Sequence, residues 1–463
     1  MASEFDRSKK LDALANWAEE QGITINDCKI RTDSNGAGIF ATRDLAAGDT
    51  IVTVPYHKVL SRDTVVEYAQ THEFLRNLLL RDAAGAPISE AELTGISDKD
   101  VLTRFFISEI LTNRRGDNNN NNNWDSWVES LPALREMNLP IAWDRQYIED
   151  LVGTSIYDAT LSKVNFLKFR YKRFFESAEV RDLIKEYVMS GPAPKLHTES
   201  DIELAFKDWV LIESWISSRS LEVFYRDQRE LCLGLVPVVD MANHDSVNSN
   251  AKYELDFDGK VVSLVATDTI AAGTEVLIDY GQDKGAGEFV FSYGFIPATF
   301  NDAVVANFII PDLLGDEEES EDSGPADETS ELTVLRAKDK MFGAVPRLLR
   351  VQADGTWTSD YLSFLALPAS EFAFGGSDGT EVEFRGTGVA ELRAGGAQAV
   401  ADNDAAVMER AASMADSLVV DVLRPELEQD ATSVPSSGGA AVAGRLAELE
   451  RLLLTKIKMG GAR

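Results

Sequence analysis

Asn243 and His244 stand side by side after an apolar run from Leu233 to Val239. Together they offer amide and imidazole groups that can donate and accept hydrogen bonds. A strand-like run, Val276 to Ile278, then delivers Tyr280 and Gly281. A tyrosine at a strand end can aim one hydroxyl into a cleft. Ser217-Ser218-Arg219-Ser220 closes an aromatic helix that contains Trp209 and Trp215; an arginine there can hold a carboxylate through two parallel hydrogen bonds. Near the N-terminus, Asn35-Gly36-Ala37-Gly38 would let a ligand approach the backbone closely. It lacks the third glycine of a dinucleotide fingerprint and the Lys-Ser/Thr of a phosphate-binding loop. Tyr253, Tyr280, Tyr293 and Phe295 could line a narrow channel for an aliphatic stem ending in nitrogen. Taken singly, each has a plain structural reading: a hairpin turn, a surface arginine, a turn after a buried strand, core aromatics.

The elements that must position these residues read as follows. Leu11, Leu14, Ala15 and Trp17 share one side of a helix from Leu11 to Gln21, and Gly22 stops it. Short strands are expected at Lys29 to Arg31 and Thr50 to Val54, with turns at Asn35 to Gly38 and Ala46 to Asp49, and Pro55 ends the pair. Helical periodicity fills Thr64 to Lys207, interrupted by an asparagine tract at 118–123 that has no apolar side chain to bury. Helical character runs on from Asp201 to Phe224. Strands are then expected at Leu233 to Val239, Tyr253 to Phe257, Val261 to Val265 and Glu275 to Ile278, with Asp258-Gly259 as a tight hairpin turn. A strand-rich module is thus split by a large helical insert. An acidic run without periodicity, Gly315 to Glu331, reads as a disordered linker. Beyond it, helical stretches alternate with Gly-rich loops, and Leu446, Leu449, Leu453 and Ile457 mark a last helix whose stripe is core.

The chain's 463 residues allow two or three domains, and 44% hydrophobic residues support real cores. Its formal charge of −32 argues against nucleic acid, since phosphate contacts need clustered Lys and Arg. The same charge would steer basic partners toward it, although solubility is an equally good reason for it. Cys28 and Cys232 are far apart and the four histidines lack ligand spacing, so neither a disulfide framework nor a metal is expected. No signal core, transit peptide or membrane-length apolar run is visible, which gives a cytoplasmic or nuclear location as the expectation.

The order of the pieces is more informative than any one of them. A Gly-rich turn, a Ser-Arg, an Asn-His and a Tyr-Gly, separated by a long helical insert, resemble the SET-domain protein methyltransferases. More narrowly they resemble the subfamily of the Rubisco large-subunit lysine methyltransferase. Trp124 to Pro132 is similar to that subfamily's W-x-x-Y-x-x-x-L-P element, with Trp127 where tyrosine is usual. Glu288 to Phe295 resembles its E-[LF]-x-x-x-Y-G-F segment. The likeness runs from about Asp27 to Pro297; the C-terminal part is similar only in length, position and helicity. Lys284-Gly285-Ala286-Gly287-Glu288 departs from the Ser-Asn-Ala-Glu run that relatives carry after the tyrosine.

The resemblance implies an α+β fold: a SET domain of short strands with a knot-like C-terminal segment, interrupted by a helical insert, plus a mainly α-helical C-terminal domain. The implied domains are an N-terminal helix (1–26), the SET domain (27–300, insert about 64–207), an acidic linker (301–331) and a substrate-binding-like domain (332–463). It implies S-adenosyl-L-methionine as cofactor, held by Asn35, Gly36, Ala37, Arg219, Asn243 and His244. It implies Tyr280 as the catalytic residue, and Ser218, Asp240, Tyr253, Ile278, Tyr293 and Phe295 around the target side chain. The implied reaction is methyl transfer to a lysine of a protein substrate, by a monomer without nucleic acid or membrane. Histidine methylation, which one branch of the subfamily performs, is an alternative, as is a non-catalytic binding module.

Overall fold

The computed structural model describes residues 2–33, 36–115, 124–190, 204–224, 230–281, 284–298, 304–310, 338, 345, 347–375, 381–388, 405–419, 423 and 439–457. Asn35, the asparagine tract and the acidic run lie outside the described residues. The chain divides into two compact units. The first gathers Met1–Ala142, Leu161–Gly281 and Ser292–Thr299; the second gathers Trp143–Thr160, Gln282–Phe291 and Phe300–Arg463. The units interleave along the chain, so their limits differ from contiguous boundaries read off composition.

The first unit opens with the helix Ala2–Glu20, longer at its N-terminal end than its apolar stripe alone suggests. Its strands are β1 (Thr24–Ile25), β2 (Cys28–Asp33), β3 (Gly36–Ala41), β4 (Thr50–Pro55), β5 (Leu60–Ser61), β6 (Ser220–Phe224), β7 (Leu231–Leu235), β8 (Asn243–His244), β9 (Ala251–Asp256), β10 (Val261–Ala266) and β11 (Glu275–Ile278). They form three sheets, ordered β1-β4-β10-β9, β2-β3-β11-β8 and β5-β7-β6. Along β10, Val262, Leu264 and Ala266 are buried and their neighbours are not, the period-two pattern of a strand with one face on the core.

Three expectations change. Gly36, Ala37 and Gly38 are not a turn but the start of β3, opposite Asp33, Thr32 and Arg31, because pairing on β2 satisfies their backbone as a turn would not. Helical character stops at Arg219: Ser220–Phe224 pairs with Leu231–Leu235 as a hairpin partner, and tertiary pairing overrides helix propensity there. The strand expected at Leu233 to Val239 ends at Leu235, and a short 3-10 turn covers Val239–Met241. The tight hairpin turn expected at Asp258-Gly259 is present between β9 and β10, with Lys260 at a φ of 54° and Gly259 N donating to Asp256 Oδ1 at 2.7 Å.

Insert helices pack on these sheets. Asp98–Arg115 buries Val101, Leu102, Phe105, Phe106 and Leu111 completely, and the helix Phe206–Arg219 buries Trp209, Val210, Ile212, Trp215 and Ile216. Trp124, Trp127, Phe105, Phe106 and Trp215 form one aromatic cluster with ring centroids 5.3–6.0 Å apart. Each fully buried large apolar side chain contributes roughly 1.5–3 kcal/mol.

The second unit holds β12 (Val304–Ile309), β13 (Leu348–Gln352) and β14 (Trp357–Thr358) in one sheet, and β15 (Phe372–Gly375), β16 (Glu381–Phe384) and β17 (Thr387–Gly388) in another. Beside them stand the helices Asp360–Ala366, Ala405–Leu418 and Gly439–Lys456. Its core includes Phe308, Trp357, Leu362, Phe364, Leu418 and Leu454. The C-terminal helical part therefore also carries five short strands among its described residues, and β12 falls within the span expected to be acidic linker, where its pairing with β13 makes it part of a sheet.

Candidate functional site

Strand β11 changes partner midway. Glu275 and Val276 pair with Phe40 and Ile39 of β3, antiparallel. Leu277 and Ile278 pair with Asn243 and His244 of β8, parallel. Three segments far apart in sequence therefore meet on four residues of one strand, and the chain beyond that strand carries Tyr280.

Asn243 is committed to this junction. Its Nδ2 donates to Ala37 O at 3.0 Å and to Glu275 Oε1 at 2.7 Å. A Cβ at Gly38 would fall 2.3 Å from Glu275 Oε1 and 3.0 Å from Asn243 Nδ2. The glycine is thus required by a side-chain pair, beyond any ligand. Burial pushes the Glu275 carboxyl up, and the Asn243 hydrogen bond opposes that.

His244 is nearly enclosed, with 1% of its side chain exposed. Tyr280 N donates to His244 Nδ1 at 3.1 Å. Nδ1 is therefore an acceptor, which assigns the proton of the neutral ring to Nε2. Asp279 Oδ1 lies 3.9 Å from Nδ1 and accepts from Gly281 N at 2.9 Å. The Tyr280 hydroxyl donates to Ala242 O at 2.9 Å. Desolvation pushes this phenol up to about 12, against the opposing pull of Arg219, so it keeps its proton at neutral pH.

Aromatic rings gather here. Tyr280 lies 5.1 Å from His244 and 4.7 Å from Tyr293, and Phe295 lies 6.2 Å from His244 and 6.3 Å from Tyr293, centroid to centroid. Tyr293 and Phe295 flank Gly294, whose φ is +82° and whose Cβ would sit 2.0 Å from Met137 O. Asn138 Nδ2 donates to Gly294 O at 3.2 Å. No side chain fits at that crossing, so glycine fixes where the two rings project.

Arg219 and Asp240 complete the cluster. Arg219 Nη1 donates to Asp240 O at 2.7 Å and lies 3.7 Å from Asp240 Oδ2. The Asp240 side chain is entirely buried. Burial pushes its carboxyl up, and Arg219 and then the Trp127 indole pull it back. Trp127 Nε1 donates to Asp240 Oδ2 at 3.3 Å. Of this pair, Asp240 Oδ1 and Arg219 Nε are buried without a hydrogen-bond partner among the described residues. Just before this turn Val238 has φ +70° and ψ −46°, a conformation costly for a β-branched residue.

The remaining expected residues are placed less centrally. Ile278 is buried opposite His244. The Ser218 hydroxyl turns back to donate to Ser214 O at 2.8 Å. Tyr253 sits on β9 opposite Leu264, on the neighbouring sheet, half-buried and with its phenol pushed up by burial and by Glu222. Gly36 and Ala37 lie on β3, where Ala37 O accepts from Asn243. Sequence reasoning missed Glu275, the Ala242 carbonyl and the indole of Trp127. A lone acid opening an apolar strand was the available signal for Glu275; backbone carbonyls leave none.

A cavity of about 420 Å³ opens elsewhere in this unit, lined by Ile110, Leu131, Leu211 and Trp215 with Arg7, Arg114 and Glu136 among others; Asn243, His244 and Tyr280 do not line it. Among the described residues, no three His, Cys, Asp or Glu are grouped to hold a metal. No described helix is long and apolar enough to cross a membrane.

A family model described as SET domain matches residues 36–281. SET domain-containing protein 8 of Schizosaccharomyces pombe is 28% identical over 309 residues, 66% of this chain and 62% of that protein. An actin-histidine N-methyltransferase of Canis lupus familiaris is 24% identical over 283 residues, 61% of this chain and 42% of that protein. The matches thus span less than two thirds of the length of these curated relatives. Among solved structures, the SET domain of LSMT bound to lysine and AdoHcy matches with TM-score 0.59 and 17% identity, covering 97% of this chain and 90% of that one. Rubisco LSMT bound to sinefungin and monomethyllysine matches with TM-score 0.56 and 16% identity, over the same shares. These likenesses establish a shared α+β fold.

Proposed function

Since the chain belongs to the SET-domain family, we propose that it is a protein methyltransferase that uses S-adenosyl-L-methionine and acts on a lysine side chain. The observation that carries this reading is the convergence of Asn243, His244, Tyr280, Arg219 and Asp240, with Asp240 Oδ1 and Arg219 Nε buried and left over. Orphaned buried polar atoms cost about 1–3 kcal/mol each unless a bound group completes them. The donor set fits a zwitterionic cofactor that carries a carboxylate, an amine, ribose hydroxyls and an adenine ring: Arg219 for the carboxylate, Asn243, His244 and the backbone of Gly36 and Ala37 for its polar edges. Asn35 belongs to the same proposed set and lies outside the described residues. When bound, the cofactor supplies a methyl group activated by a sulfonium.

The chain's own residues supply the rest. The Tyr280 phenol keeps its proton and donates a hydrogen bond to Ala242 O. Its oxygen lone pairs are left to face developing positive charge, and a fixed dipole in a dry site does this without reorganising. Tyr280, Tyr293 and Phe295, with Ile278 and Tyr253 behind them, would hold a lysine's aliphatic stem and exclude water. That environment disfavours the ammonium and lowers the amine's pKa, which frees the lone pair that must attack. Asp240 would attract the incoming cation, and Ser218 belongs to the same proposed set. Alignment of nitrogen and methyl then lowers the barrier by positioning.

Several of the chain's relatives are actin-histidine N-methyltransferases, and this favours imidazole as the second reading. The −32 charge fits a basic substrate surface, a monomer in the cytoplasm or nucleus, and no nucleic acid. In domain terms the first unit carries the chemistry, and the helical part after residue 332 would dock the substrate. Calorimetric titration with S-adenosyl-L-methionine, followed by tritium transfer into lysate proteins and mass spectrometry of the labelled side chain, tests all of this. Absence of cofactor binding at high micromolar concentration overturns the reading; label on histidine moves it to the second.

A further inference from the structure

Trp127 lies on the short helix Asp125–Ser130. It is completely buried, with Phe106 and Trp124 against its faces at 6.0 and 5.7 Å. Packing alone would explain its bulk. It does not explain the direction of its one polar atom, which leaves the aromatic cluster to reach Asp240 Oδ2. That carboxyl is fully out of water. It faces Arg219 from the helix Phe206–Arg219, Tyr280 after β11 and Trp127 from the helix Asp125–Ser130, and the backbone N–H groups of Val238 and Asp240 also favour its charged form. The turn that carries it is strained at Val238 and would relax if unpinned. Two residues further on, Ala242 O accepts the Tyr280 hydroxyl.

We propose that Trp127 is a positioning residue: its indole N–H holds the Asp240 carboxylate and, with Arg219, locks the 238–242 turn so that Ala242 O fixes the Tyr280 hydroxyl. This rests on reading the Tyr280 cluster as the methyl-transfer site. The chain Trp127–Asp240–Ala242–Tyr280 runs through one rigid turn, so a loosened indole contact displaces the phenol. Removing the indole donor also removes a group that favours the charged carboxylate, so Asp240 stays protonated to higher pH.

The test contrasts Trp127→Phe, which keeps a ring and loses the donor, with Trp127→Tyr, which keeps both a ring and a donor. The Phe variant is expected to lose ten-fold or more in kcat, to shift the acid limb of its pH profile upward, and to bind S-adenosyl-L-methionine within two-fold of the parent. The Tyr variant is expected to recover most of the rate. A readout independent of turnover uses nitrogen-15 spectra of the seven indoles. The resonance missing in Trp127→Tyr should be the one that moves most in Asp240→Asn. Equal rates for the Phe and Tyr variants, or an indole resonance indifferent to Asp240→Asn, would overturn the proposal. If cofactor fails to bind the parent protein, the methyl-transfer reading falls while the indole spectra still decide whether the contact exists.

Discussion

Asp240 in the first unit and Glu450 in the second are both carboxyl groups taken wholly out of water, and they are held in different ways. Glu450 is gripped by Ser155, whose N and Oγ donate to its two oxygens at 2.9 and 2.5 Å, and Gly287 leaves the room: a Cβ there would lie 2.4 Å from Ser155 Oγ. Both oxygens are satisfied by neutral donors, and burial pushes the group up to about 7. Asp240 has a guanidinium and an indole beside it, yet one of its oxygens remains unmatched. Burial alone therefore does not mark a site. Glu450 behaves as a clasp between chain segments of its own unit. Asp240 has a charged neighbour and an unmatched acceptor, which is the ground for placing it, and not Glu450, in the proposed site.

Tyr280→Phe is the sharpest way to break this contrast. It should cost about 10²–10³-fold in kcat, as loss of one aimed polar group at a reacting centre does. It should cost only about 1 kcal/mol in stability, the worth of the bond to Ala242 O. Rate and melting temperature measured together check it; a parental rate removes Tyr280 from the mechanism. Next in size, Arg219→Ala leaves Asp240 buried without its cation, at a cost of about 3–5 kcal/mol. Denaturant unfolding reads that loss, and Asp240→Asn in the same chain should return part of it.

On the other side of the contrast, Glu450 makes stability depend on pH. Its folded value, about 7, stands above its ordinary 4.5, so the folded state binds the proton more tightly. The associated stability is fully present below 4.5 and lost as pH rises through 7, about 3 kcal/mol in all. Glu450→Gln should flatten that dependence and raise the melting temperature at pH 8, with the methylation rate unchanged. A rate that falls with it would make the clasp part of the site. Smallest is Gly38→Ala. Its Cβ displaces the Glu275–Asn243 pair, for about 1–2 kcal/mol, and cofactor affinity measured by calorimetry should weaken up to ten-fold.

The side chains able to do chemistry were legible because their types and order are local facts: Asn243 beside His244, Tyr280 before a glycine, Arg219 ending an aromatic helix. Their partners were not legible. Glu275 meets Asn243 across 32 positions and Trp127 meets Asp240 across 113, and no periodicity encodes such pairings. The split module and its helical insert follow from the change between period two and period 3.6. Gly38 misled because glycine signals a turn equally well when it is making space, here for the Glu275 carboxylate. Ser220 to Phe224 misled because nothing breaks the helical pattern there; only β7 makes it a strand. The strands after residue 300 are two to six residues long, too short for alternation to show.

The divided allegiance of β11 has a consequence for a chain leaving the ribosome. Residues near position 37 emerge early and wait unpaired on that side until 275–278 arrive, and the ring at Phe295 comes later still. No fragment ending before residue 275 owns the junction. Contacts of such long range fold slowly, because loop closure must be met before they are rewarded. Any small molecule that binds this junction would accordingly report on completion of the whole first unit, and would protect newly made protein in proportion to its occupancy.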